Sequence, residues 1–231
     1  MYKFGLITRL FLAGTFIVLL FGGCALWNRF FPSEEEEKAP AQLVSEGMES
    51  MERGRYEAAT EVFQKVKDRY PYSKFAIQAE LKMADALYKR ELYDEAFDAY
   101  SEFERLHPKN PDIPYVIYHK GMCHFSQAST IDRDQLHTLR ALEEFERLVK
   151  KSPRTVYAHR ARRKIRECYI NLAEYELYVG HFYFKMKKYL AAMGRYKYLL
   201  ENYPDLGQYQ EAVEYLSKCK ERLAEAQEKA R

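Results

Sequence analysis

"GRYEAATEVFQKVKDRYP" (Gly54–Pro71) is one of four eighteen-residue segments that align without gaps. The others are "ELYDEAFDAYSEFERLHP" (Glu91–Pro108), "LHTLRALEEFERLVKKSP" (Leu136–Pro153) and "KKYLAAMGRYKYLLENYP" (Lys187–Pro204). The sixth position is always alanine: Ala59, Ala96, Ala141, Ala192. The tenth is aromatic (Phe63, Tyr100, Phe145, Tyr196), and three residues on comes an apolar side chain (Val66, Phe103, Leu148, Leu199). Each segment ends in proline, and three carry tyrosine at the third position: Tyr56, Tyr93 and Tyr189. Alanine, ring and aliphatic at i, i+4 and i+7 share one face of a helix. The small alanine admits a neighbouring helix, the ring fills the gap beside it, and proline ends the helix.

A partner helix precedes each segment and carries a small residue: Gly47, Ala84, Gly121 and Gly180. Ser73 and Thr155 sit two residues beyond prolines and are predicted to cap the helices that follow. From Ala41 to Pro204 this pattern resembles the tetratricopeptide repeat, a helix–turn–helix unit of about 34 residues. The resemblance implies an all-α fold, a right-handed superhelical stack of hairpins or α-solenoid. Departures are visible. Successive prolines stand 37, 45 and 51 residues apart, and the third repeat carries an insertion around "STIDRDQL" (Ser129–Leu136). The first helix of the fourth repeat is expected over Thr155–Lys187, about 50 Å if unbroken. A last helix, Tyr209–Lys229, is expected to cap the stack with a charged outer face. The alternative, a generic helical bundle, does not require four positions to recur together.

Composition agrees. No strand candidate persuades, and Ala, Glu, Lys, Leu and Tyr (20 tyrosines) dominate. The net charge of +3 falls to about +1 without Lys3 and Arg9, so no overall bias toward nucleic acid follows. Cys123, Cys168 and Cys219 form no C-x-x-C pair. They read as buried thiols on helices, with one disulfide the alternative in an oxidising compartment.

The amino terminus is organised differently. Lys3 and Arg9 precede an apolar run, Leu10–Phe21, that is too short to span a bilayer but suits the core of a secretory signal. Gly22 and Gly23 then lead into Cys24. This resembles a bacterial lipoprotein signal, with Phe21 standing where leucine is usual. The resemblance implies removal of residues 1–23 and acylation of Cys24, a covalent lipid being the only group attached. No cofactor or metal is expected. Ala25 rather than aspartate after the cysteine implies the outer membrane. Trp27, Phe30 and Phe31 suit a membrane interface. Residues 24–40, with four consecutive glutamates (Glu34–Glu37), read as a flexible tether reaching at most about 55 Å. Residues 41–231 form the repeat array.

In tetratricopeptide proteins the first helix of each repeat lines a concave groove. That register places Met48, Met51, Leu81, Tyr88, Tyr115, Tyr118, Met122, Phe125, Leu177 and Phe184 there. Such an aromatic, methionine-bearing surface suits peptide docking, although each of these side chains would also serve in the core. Tyr70–Met122, above all "RLHPKNPDIPYVIYHKGM", and the later "DRDQ" are similar to the BamD family of outer-membrane protein assembly factors. The resemblance implies a non-catalytic periplasmic scaffold of the β-barrel assembly complex in a Gram-negative bacterium. It implies binding to the periplasmic domains of the barrel subunit BamA, to other assembly lipoproteins and to unfolded precursors. That family often ends in a fifth complete hairpin, of which only the first helix is evident here.

"RTVYAHRARRKIR" (Arg154–Arg166) holds six Lys and Arg and no acid. It reads first as a solvated helix face, then as a dock for an acidic partner; nucleic acid is not expected for an exported lipoprotein. Arg195 is a weaker docking candidate. His119 and Cys123 share a face at i, i+4 but lack further ligands for a metal. No catalytic motif such as G-x-S-x-G or H-E-x-x-H occurs, so an enzyme is disfavoured. The competing function is a lipoprotein of another envelope machine, such as a pilotin for secretin subunits.

Overall fold

A computed structural model describes residues 38–229. The signal segment, Cys24 and the tether up to Glu37 lie outside the described residues, as do Ala230 and Arg231. Among the described residues there are nine helices and no strand. They are α1 (Pro40–Glu52), α2 (Tyr56–Arg69), α3 (Lys74–Lys89), α4 (Tyr93–Leu106), α5 (Ile113–Ser126), α6 (Leu136–Lys151), α7 (Val156–Lys185), α8 (Tyr189–Asn202) and α9 (Tyr209–Lys229). Consecutive helices pack as four hairpins, α1–α2, α3–α4, α5–α6 and α7–α8, with α9 laid against α8. First helices also meet across hairpins, α1 with α3 and α5 with α7. None of these helices is long and apolar enough to cross a membrane.

The recurring positions form the core. Ala59, Ala96, Ala141 and Ala192 are wholly buried, as are Phe63, Tyr100, Phe145 and Tyr196. Three of these rings, Phe63, Phe145 and Tyr196, fill the notch left by a glycine on the preceding helix. A Cβ added to Gly47 would lie 2.4 Å from Phe63 Cε1; one on Gly121, 2.5 Å from Phe145 Cε1; one on Gly180, 2.5 Å from Tyr196 Cε1. Those distances are below any real carbon contact, so glycine is demanded by the neighbour rather than by backbone shape. Burial of such rings contributes about 1.5–3 kcal/mol each.

The turns follow the sequence register as well. Gly54, Glu91 and Lys187, each at the first position of its segment, take the left-handed conformation with φ of 70°, 62° and 58°. At the second hairpin the Leu92 amide donates to the Leu87 carbonyl and the Glu91 amide to the Tyr88 carbonyl. This pattern closes a helix C-terminus by satisfying its free carbonyls. Two of the three positions therefore tolerate a side chain where glycine would be easier. All four second helices, α2, α4, α6 and α8, end two residues before proline. The residue preceding proline is steered out of helical geometry.

The third hairpin departs here, because Gln127–Gln135 replaces the tight turn. Gln135, buried to 4 % exposure, holds the insertion in shape. Its Nε2 donates to the Thr130 and Arg133 carbonyls at 3.0 Å, and its Oε1 accepts from Thr138 Oγ1 at 2.8 Å.

The long first helix of the fourth repeat is a single unbroken helix of 30 residues, about 45 Å. Its cap is as predicted: Thr155 Oγ1 accepts from the Ala158 amide at 3.2 Å. Ser73 is a correction. It occupies the cap position of α3, but its hydroxyl makes no cap bond and is buried without a partner. The Ala76 amide, which such a cap would take, donates to the Ser73 carbonyl instead. Cys123, Cys168 and Cys219 are free, buried thiols.

Charged groups join the second and third hairpins. Glu104 on α4 accepts from Arg147 Nη1 at 2.7 Å and Nη2 at 3.0 Å, and lies 3.3 Å from Lys120 and 3.2 Å from Lys151. Burial alone would raise its pKa, but Arg147, Lys120 and Lys151 outweigh it and lower it to about 2.

A candidate peptide-binding groove

The ten predicted groove residues fall into three packing clusters. Met48 and Met51 edge the cluster of the first hairpin, around Phe63. Leu177 and Phe184 belong to the last, around Tyr196. Leu81, Tyr88, Tyr115, Tyr118, Met122 and Phe125 belong to the large central cluster. Leu81 and Leu177 are buried, and the other eight are half-buried. The central group therefore offers the most aromatic surface.

A cleft of about 560 Å³ opens there between α3, the α4–α5 turn, α5 and α7. Its apolar walls include Leu81, Phe103, Tyr115 and Tyr157, and its polar groups include Lys74, Gln78, Lys82 and Asn110. Tyr157 from α7 meets Tyr115 at 5.4 Å and Tyr118 at 5.9 Å between ring centroids. Beneath these rings sits His119, 4.3 Å from Tyr115 and 5.4 to 5.6 Å from Tyr88, Tyr118 and Tyr100. Four tyrosines thus surround one imidazole whose Nδ1 has no hydrogen-bond partner. Burial pushes its pKa down to about 4; Asp85 opposes the shift, and Lys89, Lys82 and Arg160 add to it. The imidazole is neutral at ordinary pH.

Asp85 organises the same region and is only 8 % exposed. Tyr100 Oη donates to its Oδ1 at 2.8 Å, Tyr115 Oη donates to the same oxygen at 2.6 Å, and Lys82 Nζ reaches Oδ2 at 2.7 Å. A buried carboxylate with three donors is satisfied; with none it would be costly. Burial and the neighbouring carboxylate both raise the pKa of Tyr100 and Tyr115, which keeps the two hydroxyls as donors. Tyr115 is thereby fixed at the cleft wall.

Asp85, Lys82 and Tyr157 escaped the sequence reading. One signal was available: the ring position holds phenylalanine in two repeats and tyrosine in two, and a buried hydroxyl asks for an acceptor. His119 and Cys123 are not brought together with other ligands, and no cluster of three or more His, Cys, Asp or Glu side chains suited to a metal occurs among the described residues. Burial lifts Cys123 and Cys168 to about 12, so neither is a ready thiolate. Arg195 lies on α8, 40 % exposed, with Nη1 3.1 Å from the buried Glu176.

These features agree with known proteins. The fold is similar to the tetratricopeptide domain pair in a structure described as the TPR2AB-domain:pHSP90-complex of yeast Sti1, with a TM-score of 0.50, 13 % identity, and 80 % of this chain and 70 % of that one covered. The outer membrane protein assembly factor BamD of Rickettsia prowazekii is 33 % identical over 198 residues, covering 85 % of this chain and 77 % of that protein. BamD of Vibrio cholerae is 28 % identical, covering 84 % and 83 %. The sequence profile of the YfiO family, described as an outer membrane lipoprotein, matches residues 36–231, and the chain belongs to that family.

Proposed function

We propose that this protein is a non-catalytic scaffold of outer-membrane β-barrel assembly, held on the periplasmic face of the outer membrane by lipid on Cys24. Its relatives' role in outer membrane protein assembly supports this reading. So does the signal-like run that ends in Gly22–Gly23–Cys24. More than one acyl chain at the cysteine would anchor the protein stably, since each buried CH₂ contributes roughly 0.8 kcal/mol.

The aromatic cleft carries the rest. Unfolded barrel precursors end in a strand with a terminal aromatic residue and a carboxylate. Tyr115 and Tyr157 on the cleft wall, with Tyr118 packed against Tyr157, offer ring faces for the one, and Lys74 offers positive charge for the other. The groove therefore receives the precursor terminus. The periplasmic domains of BamA bind elsewhere, with Arg195 on α8 as a contact.

Titration with a labelled precursor C-terminal peptide tests the groove. Tyr118→Ala is expected to weaken binding about tenfold, a loss of about 1.4 kcal/mol, with helicity unchanged. Unchanged affinity in a folded Tyr118→Ala protein rules the groove out. Cys24→Ala is expected to release the protein from the membrane fraction, and Arg195→Glu to reduce recovery of BamA with it.

A further inference from the structure

The start of α7 breaks the charge pattern seen elsewhere on the surface. On α9, Lys218 pairs with Glu214 and Arg222 with Glu225; just after α1, Arg53 pairs with Glu49. On α7, Lys164 pairs with Glu167 at 2.6 Å, but Arg163 and Arg166 form no ion pair among the described residues, and neither does Arg154 in the turn before it. Arg162 spends its donors on the Pro153 carbonyl at 3.0 Å and on His159 at 3.5 Å. The first turn of α7 holds no acidic residue.

Like charges three and four residues apart on a helix repel one another. His159, Arg162, Arg163 and Arg166 stand at i, i+3, i+4 and i+7, on one exposed face about 10 Å long. The opposite face, with Ala158, Ala161 and Cys168, is buried in the stack. Arg162 is held by the Pro153 carbonyl and His159, whereas Arg163 and Arg166 have no ion-pair partner among the described residues and repel one another across one turn.

We propose that this stripe docks an acidic segment of a partner protein. Guanidinium groups at this spacing present planar donor pairs that match side-chain carboxylates. A lipid surface fits less well. The apolar face of α7 is turned into the stack, and only Val156, 56 % exposed, adjoins the cations, so little would enter a headgroup layer. The surface uses none of the cleft residues and stands independently of the precursor reading.

The test uses the full-length chain in detergent micelles and a fluorescein-labelled alternating Glu–Ser peptide, followed by anisotropy. The wild-type protein is expected to bind the peptide, with affinity falling as salt rises. Arg163→Glu with Arg166→Glu should weaken binding at least about tenfold, and the two glutamine substitutions should fall between. Lys220→Glu with Arg222→Glu on α9 should change it less than about twofold. At low salt the Arg163→Gln, Arg166→Gln protein should melt no lower than wild type, because repulsion between the arginines is relieved. Equal peptide affinity in wild-type and charge-reversed proteins overturns the proposal. So does charge-sensitive binding to phosphatidylglycerol vesicles without peptide binding. A large drop in melting temperature in the two-glutamine protein also overturns it, since the arginines would then be structural supports.

Discussion

Tyr100 and Tyr196 occupy the same register in the second and fourth hairpins, and both are wholly buried. Their surroundings differ at each end of the ring. The edge of Tyr196 presses on Gly180, where a Cβ would come within 2.5 Å, whereas the second hairpin carries Ala84 at the matching position. The hydroxyl of Tyr100 donates to Asp85 at 2.8 Å, whereas that of Tyr196 is buried without a partner. One ring is held by packing and a charge-assisted hydrogen bond, the other by packing alone. A repeat can thus keep its shape while one copy acquires polar chemistry. The copy that did so is the one beside the aromatic cleft.

Truncating either ring tests the shared part of this comparison. Tyr100→Ala and Tyr196→Ala should each cost about 3–5 kcal/mol in chemical denaturation. Tyr100→Ala should be the worse of the two, because it also strips a donor from Asp85. The notch comes next. Gly180→Ala should cost about 1–3 kcal/mol by overpacking against Tyr196. Ala84→Gly, which removes a methyl from a helix interior, should cost about 1 kcal/mol.

Removing only the hydroxyl sharpens the contrast. Tyr100→Phe should destabilise by about 1–3 kcal/mol, leaving a buried carboxylate short of a donor. Tyr196→Phe should be neutral or slightly stabilising, because its hydroxyl has lost water and gained nothing. Equal losses in the two phenylalanine variants would break the comparison.

The last test concerns pH. His119 titrates near 4 in the folded chain, below the ordinary value of 6.5. The fold therefore favours the neutral ring. Its contribution is fully present above pH 6.5 and is lost as pH falls toward 4. Glu104, held near 2, adds a second loss as pH falls from its ordinary 4.5 toward 2. Melting temperature should decline through both windows, and His119→Phe should flatten the upper one. No change in slope with that substitution would remove His119 from the account.

Much of this molecule was legible in one dimension. Alanine, ring and aliphatic at fixed spacing, ended by proline, mark four second helices, and the glycines opposite them mark the partners. Helical periodicity and proline stops are properties of neighbours in the chain, so α7 and α9 could be bounded to within about two residues. Groove membership was harder. Met48, Tyr118 and Phe184 all lie on first helices but sit in three different clusters, because each packs against the core of its own hairpin.

The chemistry of the cleft depended on contacts between distant residues. Asp85 receives Tyr100 from the next helix and Tyr115 from the one after, and Tyr157 arrives from the start of α7, a stretch that the sequence marked for its arginines. Periodicity reports which face of a helix is apolar. Which hydroxyl meets which carboxylate, and which histidine is enclosed by rings, follows only once the hairpins are stacked, because those partners meet across the stack rather than along the chain.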